Sequence, residues 1–155
     1  MLDTTFLIGP LFFGFSWFDD GLQAYLKRHG WPRATRAQSI VMLYVLSGVT
    51  KPVELARRLG VSRQAVHVTI GQMIDKGLLE LEDDPEDGRS KRIVIAPDGQ
   101  RMRALAQQAV LQMCAALEER IGADNLAAMR RALAADWGSP YDVFEDEPLP
   151  VAGAR

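Results

Sequence analysis

The chain has 155 residues, and 48% of them are hydrophobic and 25% charged, a balance that suits a soluble globular protein and excludes a disordered one. One cysteine excludes an internal disulfide or a cysteine-rich zinc site, and two histidines leave a metal enzyme to rest mostly on carboxylates. The net charge of −2 hides an uneven distribution: residues 27–103 carry 14 Lys/Arg against 9 Asp/Glu, and the remainder 4 against 11. A basic middle between acidic ends suggests a local surface for an anionic partner.

In chain order, Phe6 to Phe18 is an apolar, aromatic run broken by Gly9, Pro10 and Gly14. It is too short for a membrane span, and Asp3, Asp19 and Asp20 flank it with the wrong charge for a signal peptide. A core or interface segment in a cytoplasmic protein is expected. Ser16 and Asp19 have capping-box spacing, which predicts a helix through Leu22, Tyr25 and Leu26 to Gly30. Thr35 and Gln38 form a second capping box, opening an apolar helix that Gly48 stops. Pro52 opens a short helix ended by Gly60. Ser62 caps a further helix with Val66, Ile70 and Met73 inward, ending near Gly77.

Leu78 to Glu82 and Lys91 to Ala96 predict two strands, and the turn formers between them predict a hairpin with a long tip. Pro97 starts a helix to about Ile121 on the stripe Met102, Leu105, Ala109, Met113 and Leu117. At about 1.5 Å per residue it is roughly 35 Å long, which overhangs a small domain and asks for a partner. Leu126, Met129 and Leu133 mark one more helix, and the chain from Gly138 onward reads as a flexible tail.

The stretch from Leu55 to Ser62 has what a helix-turn-helix requires. Ala56 permits close helix approach, Gly60 a left-handed turn residue, Val61 a plug for the core, and Ser62 a cap. Its second helix would place Ser62, Arg63, Gln64, His67 and Val68 toward a major groove, which admits an α-helix. A hairpin bearing Arg89, Ser90, Lys91 and Arg92 follows at once, giving a winged-helix arrangement. Asp87 stands close enough to orient the Arg89 guanidinium.

At this point the sequence resembles the MarR-type winged-helix transcriptional regulators of bacteria. The resemblance lies in Thr35-x-x-Gln38, the turn from Glu54-Leu55-Ala56 to Ser62, Asp75-Lys76-Gly77-Leu78-Leu79, the wing Asp84 to Lys91 with Asp87-x-Arg89, and Gly99 opening a long helix. It covers roughly Thr35 to Leu117 well. It implies a mainly α fold with a small β-hairpin wing, flanked by N- and C-terminal dimerisation helices. The implied layout is an apolar segment and dimerisation helix over 1–34, the winged lobe over 35–96, dimerisation helices over 97–137 and a tail over 138–155.

The resemblance further implies a homodimer on double-stranded, near-palindromic operator DNA. It also implies a cleft where a small aromatic effector releases the DNA, with Trp17, Phe18, Tyr25 and Trp31 as candidate lining; the same four also read as plain core or interface aromatics. No cofactor and no metal is expected. The chain departs from the family at Val68, where a basic residue is frequent, at the neighbouring Thr69 and Gly71, and at Ala96, which replaces a threonine cap.

Cys114, alone on an interface-type helix, reads as inert, although some relatives sense oxidants through a cysteine. Two other functions stay open. One is a winged-helix protein-interaction module without DNA binding, favoured by Val68 and by the acidic flank of the wing. The other is a carboxylate-dependent enzyme, for which the sequence offers no phosphate loop, nucleophile elbow or metal-spaced histidines.

Overall fold

A computed structural model describes residues 6–140. The chain divides into two compact units, Met1–Cys114 and Ala115–Arg155. The first unit begins with α1 (Ile8–Arg28), followed by α2 (Arg36–Leu46), α3 (Pro52–Leu59) and α4 (Arg63–Asp75). The strands β1 (Leu79–Asp84) and β2 (Asp87–Ile95) come next, and then the start of α5 (Pro97–Ile121). The unit boundary falls within α5, and the second unit holds its end together with α6 (Ala123–Ala134).

The helix α1 starts eight residues before the Ser16–Asp19 box, so the apolar run is itself helical and that box is not a start. The physical reason lies in the first turn. The earliest intrahelical bond runs from the Leu11 amide to the Leu7 carbonyl at 3.0 Å, so Pro10 lacks an N–H where the helix would not use one. Gly9 and Gly14 weaken a helix without forbidding it. Ser16 ends as a buried hydroxyl without a partner among the described residues, and Asp19 bonds across to α2.

Local signals hold from Thr35 onward. Thr35 accepts from the Gln38 amide, and the Gln38 side chain accepts from the Thr35 amide, closing the capping box of α2. Pro52 stands at the start of α3, Gly60 ends it at φ +64°, and Ser62 Oγ accepts from the Ala65 amide to cap α4. The helix-turn-helix is therefore built by its own caps. Its core gathers Val41 and Val45 of α2, Leu55 and Ala56 of α3, Val66, Ile70 and Met73 of α4, and Leu79 and Ile93 of the strands.

The strands pair antiparallel, with Leu79 opposite Ile95 and Asp84 opposite Asp87. Only Pro85 and Glu86 are left for the turn, so the hairpin runs farther than predicted and its tip is short. The outer edge of β2 is tied to the lobe where the Ile93 amide donates to the Thr50 carbonyl at 2.7 Å.

The apolar stripe predicted for the long helix turns inward in the first unit. Ala109 is buried, and Met102, Leu105 and Met113 are half-buried, with Met102 against the lobe core. In the second unit, Gly122 at φ +87° breaks α5 from α6, and Leu126 is buried as α6's inward residue. Residues 141–155 of the predicted tail lie outside the described residues. Among the described residues no helix is long and apolar enough to cross a membrane, and no group of three His, Cys, Asp or Glu could hold a metal ion.

The joint between wing and α5 depends on Gly99. The Leu78 carbonyl accepts from the Ala96 amide at 3.1 Å, and a Cβ on residue 99 would collide with that carbonyl oxygen and stand 2.8 Å from Ile95 Cγ2. Alanine normally gains about 1 kcal/mol over glycine inside a helix. Here a collision with backbone, which cannot rotate away, outweighs that gain. Gly99→Ala is expected to lower stability by about 1–3 kcal/mol, the usual range for overpacking, as measured by urea denaturation. An unchanged or higher midpoint would show that the strand can shift to make room.

Candidate nucleic-acid interface

The exposed face of α4 follows from its buried stripe. With Val66, Ile70 and Met73 committed to the core, Arg63, Gln64, His67 and Val68 are left exposed. Arg63, Gln64 and His67 have no hydrogen bond or ion pair among the described residues, so their polar atoms are available to an incoming partner. Ser62 is partly committed, because its hydroxyl caps the helix. Val68 stands 51% exposed without a core reason to be apolar.

The wing is less basic than its sequence suggests. Lys91 pairs with Asp83 at 2.5 Å and Arg92 with Glu82 at 3.1 Å, each across the strand pair from its partner. Ser90 turns its hydroxyl to the Asp87 carbonyl at 3.1 Å and to Asp84 at 3.4 Å. Arg89 alone of the four keeps its side chain unpaired among the described residues. The predicted Asp87 contact is different from expectation: its carboxylate accepts from the Arg89 backbone amide at 3.2 Å, not from the guanidinium. A short tip brings the amide within reach first, so Asp87 shapes the turn and leaves the guanidinium free.

Beneath the wing lies a tie that sequence spacing did not reveal. Asp84 is buried at the strand end, accepts from the Glu86 amide at 3.0 Å, and pairs with Lys51 Nζ at 3.1 Å. The Glu86 amide, and then Lys51, hold its carboxyl below the usual carboxylate range, and Asp84 holds Lys51 above the usual lysine range. One buried carboxylate thus fixes both the turn and the wing's attachment before α3. No motif marked it, because Lys51 and Asp84 lie 33 positions apart.

A second polar joint lies at the other end of α4. The buried Gln38 side chain donates to Gln72 Oε1 at 3.1 Å and accepts from Lys76 Nζ at 2.9 Å, in addition to its capping bond. On α1, Gln23 accepts from the Ala34 amide at 2.9 Å and donates to Ser39 at 3.2 Å, while Asp19 pairs with Arg36 at 2.5 Å. These groups border a mostly apolar cavity of about 390 Å³, lined by Phe15, Phe18, Leu22, Trp31, Met42 and Met102 among others. Of the four aromatic residues predicted for a ligand cleft, Phe18 and Trp31 line this cavity. Trp17 instead packs edge-on against Phe18, and Tyr25 stacks on His29.

Residues 35–90 match the sequence model of the MarR family. The chain is similar to the reduced form of the MarR protein of E. coli, at 26% identity over 81% of this chain and 92% of that one, with a TM-score of 0.61. It is also similar to a mutant of that protein complexed with operator DNA (23% identity, 84% and 94% covered, TM-score 0.60). A transcriptional regulator from Thermotoga maritima aligns at 20% identity over 82% and 88%, with a TM-score of 0.58. No curated protein sequence matches the chain. These similarities carry the winged-helix fold.

The Asp84 tie has a signed pH dependence. A carboxyl whose folded value is depressed adds stability above its unfolded value, about 3.9, and loses it as pH falls through the folded value. Asp84→Asn keeps an acceptor for the Glu86 amide but removes the charge that Lys51 faces. The variant is expected to be less stable than the parent at pH 7, with the gap narrowing below about pH 4. Urea midpoints of both proteins from pH 7 to pH 3 measure this, and identical midpoints at pH 7 would mean the ion pair adds nothing.

Proposed function

From a winged lobe that belongs to the MarR family over residues 35–90, we propose that this chain is a homodimeric, sequence-specific DNA-binding transcription regulator. The observation that carries the reading is the exposed, unpartnered row on α4 beside a wing whose one free cation among the described residues is Arg89. A narrow minor groove concentrates negative potential and attracts such an arginine. Gln64 has the geometry to make paired hydrogen bonds with a base edge in the major groove. Ser62, Arg63 and His67 share that face, and Ser90, Lys91 and Arg92 shape and support the wing.

The exposed first turns of α1 support the dimer. Phe12, Phe13 and Leu11 are exposed there, together with Ile8 at 82%. A contiguous apolar surface of this kind is uncommon on monomers and marks an interface. Two copies related by a two-fold axis would present two α4 helices to half-sites about 34–36 Å apart. The apolar cavity, within the usual 300–1,000 Å³ of small-molecule sites, fits an aromatic effector. Gln38 and Lys76 on its wall belong to the joint that sets α4, and Met73 is a core residue of α4 itself, so an occupant there would disturb the reading helix.

Two measurements test this reading. Sedimentation at micromolar concentration is expected to give a particle of about twice the 17.2 kDa chain, and a monomer would remove the dimer. On DNA, Arg89→Ala is expected to weaken specific and scrambled duplexes alike and to reduce the salt slope by about one. Gln64→Ala is expected to cost about 1–3 kcal/mol of discrimination at one or two positions while leaving the slope nearly unchanged. Titrations of both variants at several salt concentrations decide between the roles. If Arg89→Ala changes neither affinity, the wing does not touch DNA and a protein-interaction module becomes the better reading.

A further inference from the structure

We propose that Val68 is a specificity-determining residue that reads the 5-methyl group of thymine, with Gly71 beside it letting the DNA surface come close. The proposal rests on the DNA-binding reading above. It starts from the helical geometry of α4. At about 100° per residue, the buried stripe Val66, Ile70 and Met73 places Val68 in the middle of the opposite face, flanked by Gln64 one turn before and Gly71 one turn after.

Neither residue serves the fold. Val68 is half exposed, so its side chain adds little to the core, and a β-branched residue is not favoured in a helix for its own sake. Gly71 lacks a positive φ, and a Cβ there would meet nothing within 4 Å. Backbone conformation and packing would both accept alanine, which a helix prefers. Two neighbouring positions on the face opposite the core are thus apolar at a cost to the helix.

The surface that results is a low apolar centre bordered by the hydrogen-bonding groups of Gln64 and His67. Along the major-groove edges of unmodified base pairs, the complementary feature is thymine, whose 5-methyl lies beside its O4 acceptor. Charge points to the same occupant. Arg63 at the start of α4 and Arg89 on the wing have no ion-pair partner among the described residues, which suits a polyanion better than an apolar protein patch.

The test uses the full chain and duplexes selected by it from a random pool at low salt. Each selected duplex is remade with one thymine at a time replaced by 2′-deoxyuridine, which removes the methyl and nothing else. At one thymine per half-site the replacement is expected to weaken binding about fourfold, the equivalent of one buried methyl group. Val68→Ala is expected to bind the two duplexes equally. Gly71→Ala is expected to raise the melting temperature by about 2–4 °C while weakening DNA binding, a combination that a purely structural glycine would not give.

The proposal is overturned if every deoxyuridine duplex binds as tightly as its parent, or if Val68→Ala keeps the full difference. Unchanged affinity in Gly71→Ala overturns the role given to the glycine. If the pool yields no retained duplex, the DNA-binding reading itself fails, and the Val68–Gly71 face is left to a protein partner.

Discussion

The Gln38 amide is the constraint on which the placement of α4 depends. It is buried, and its oxygen and nitrogen are shared among the Thr35 amide, Lys76 and Gln72. A buried amide left without partners would cost several times what a typical hydrogen bond contributes, so the three bonds form together or the joint opens. The same residue that starts α2 therefore fixes the last turn of α4. Because a helix is stiff over three or four turns, fixing one end aims the other, where Gln64, His67 and Val68 are displayed.

Electrostatics on the lobe follow a different logic from its composition. The middle of the chain is rich in Lys and Arg, yet Lys51, Lys91, Arg92 and Arg58 each face a carboxylate. Apart from the buried Asp84 tie, such pairs are exposed and contribute little to stability, typically below about 1 kcal/mol. Their larger effect is to remove positive potential from most of the wing and leave it at Arg89. To the proposed DNA partner such a surface offers a few directed contacts, with less indiscriminate attraction than its lysine and arginine count implies.

The cavity and the exposed apolar start of α1 share one helix. The side facing α2 carries Phe15, Phe18, Leu22 and Leu26 toward the cavity, with Asp19 and Gln23 bonded across to the start of α2. The first two turns of the same helix leave Ile8, Leu11, Phe12 and Phe13 exposed. An apolar stripe that runs on into exposed turns suits a further apolar partner at that end of the helix.

Local rules in the sequence determined every element that carries its own cap. Thr35 with Gln38 starts α2 and Ser62 starts α4 by satisfying terminal backbone groups, Pro52 and Gly60 bound α3 by their fixed and left-handed φ, and the helix-turn-helix and wing order followed. The same rules misplaced the start of α1, since Ser16 and Asp19 mimic a cap while Pro10 is harmless in a first turn. They also lengthened the hairpin tip, because turn-forming residues do not reveal that Asp84 will be held by Glu86 and Lys51. Which cations stay free, which glutamine joins two helices and which aromatics face a cavity were decided only by tertiary structure. Those outcomes depend on residues 8 to 38 positions apart in the chain, such as Lys91 with Asp83 and Gln38 with Lys76, and local spacing carries no record of such distances.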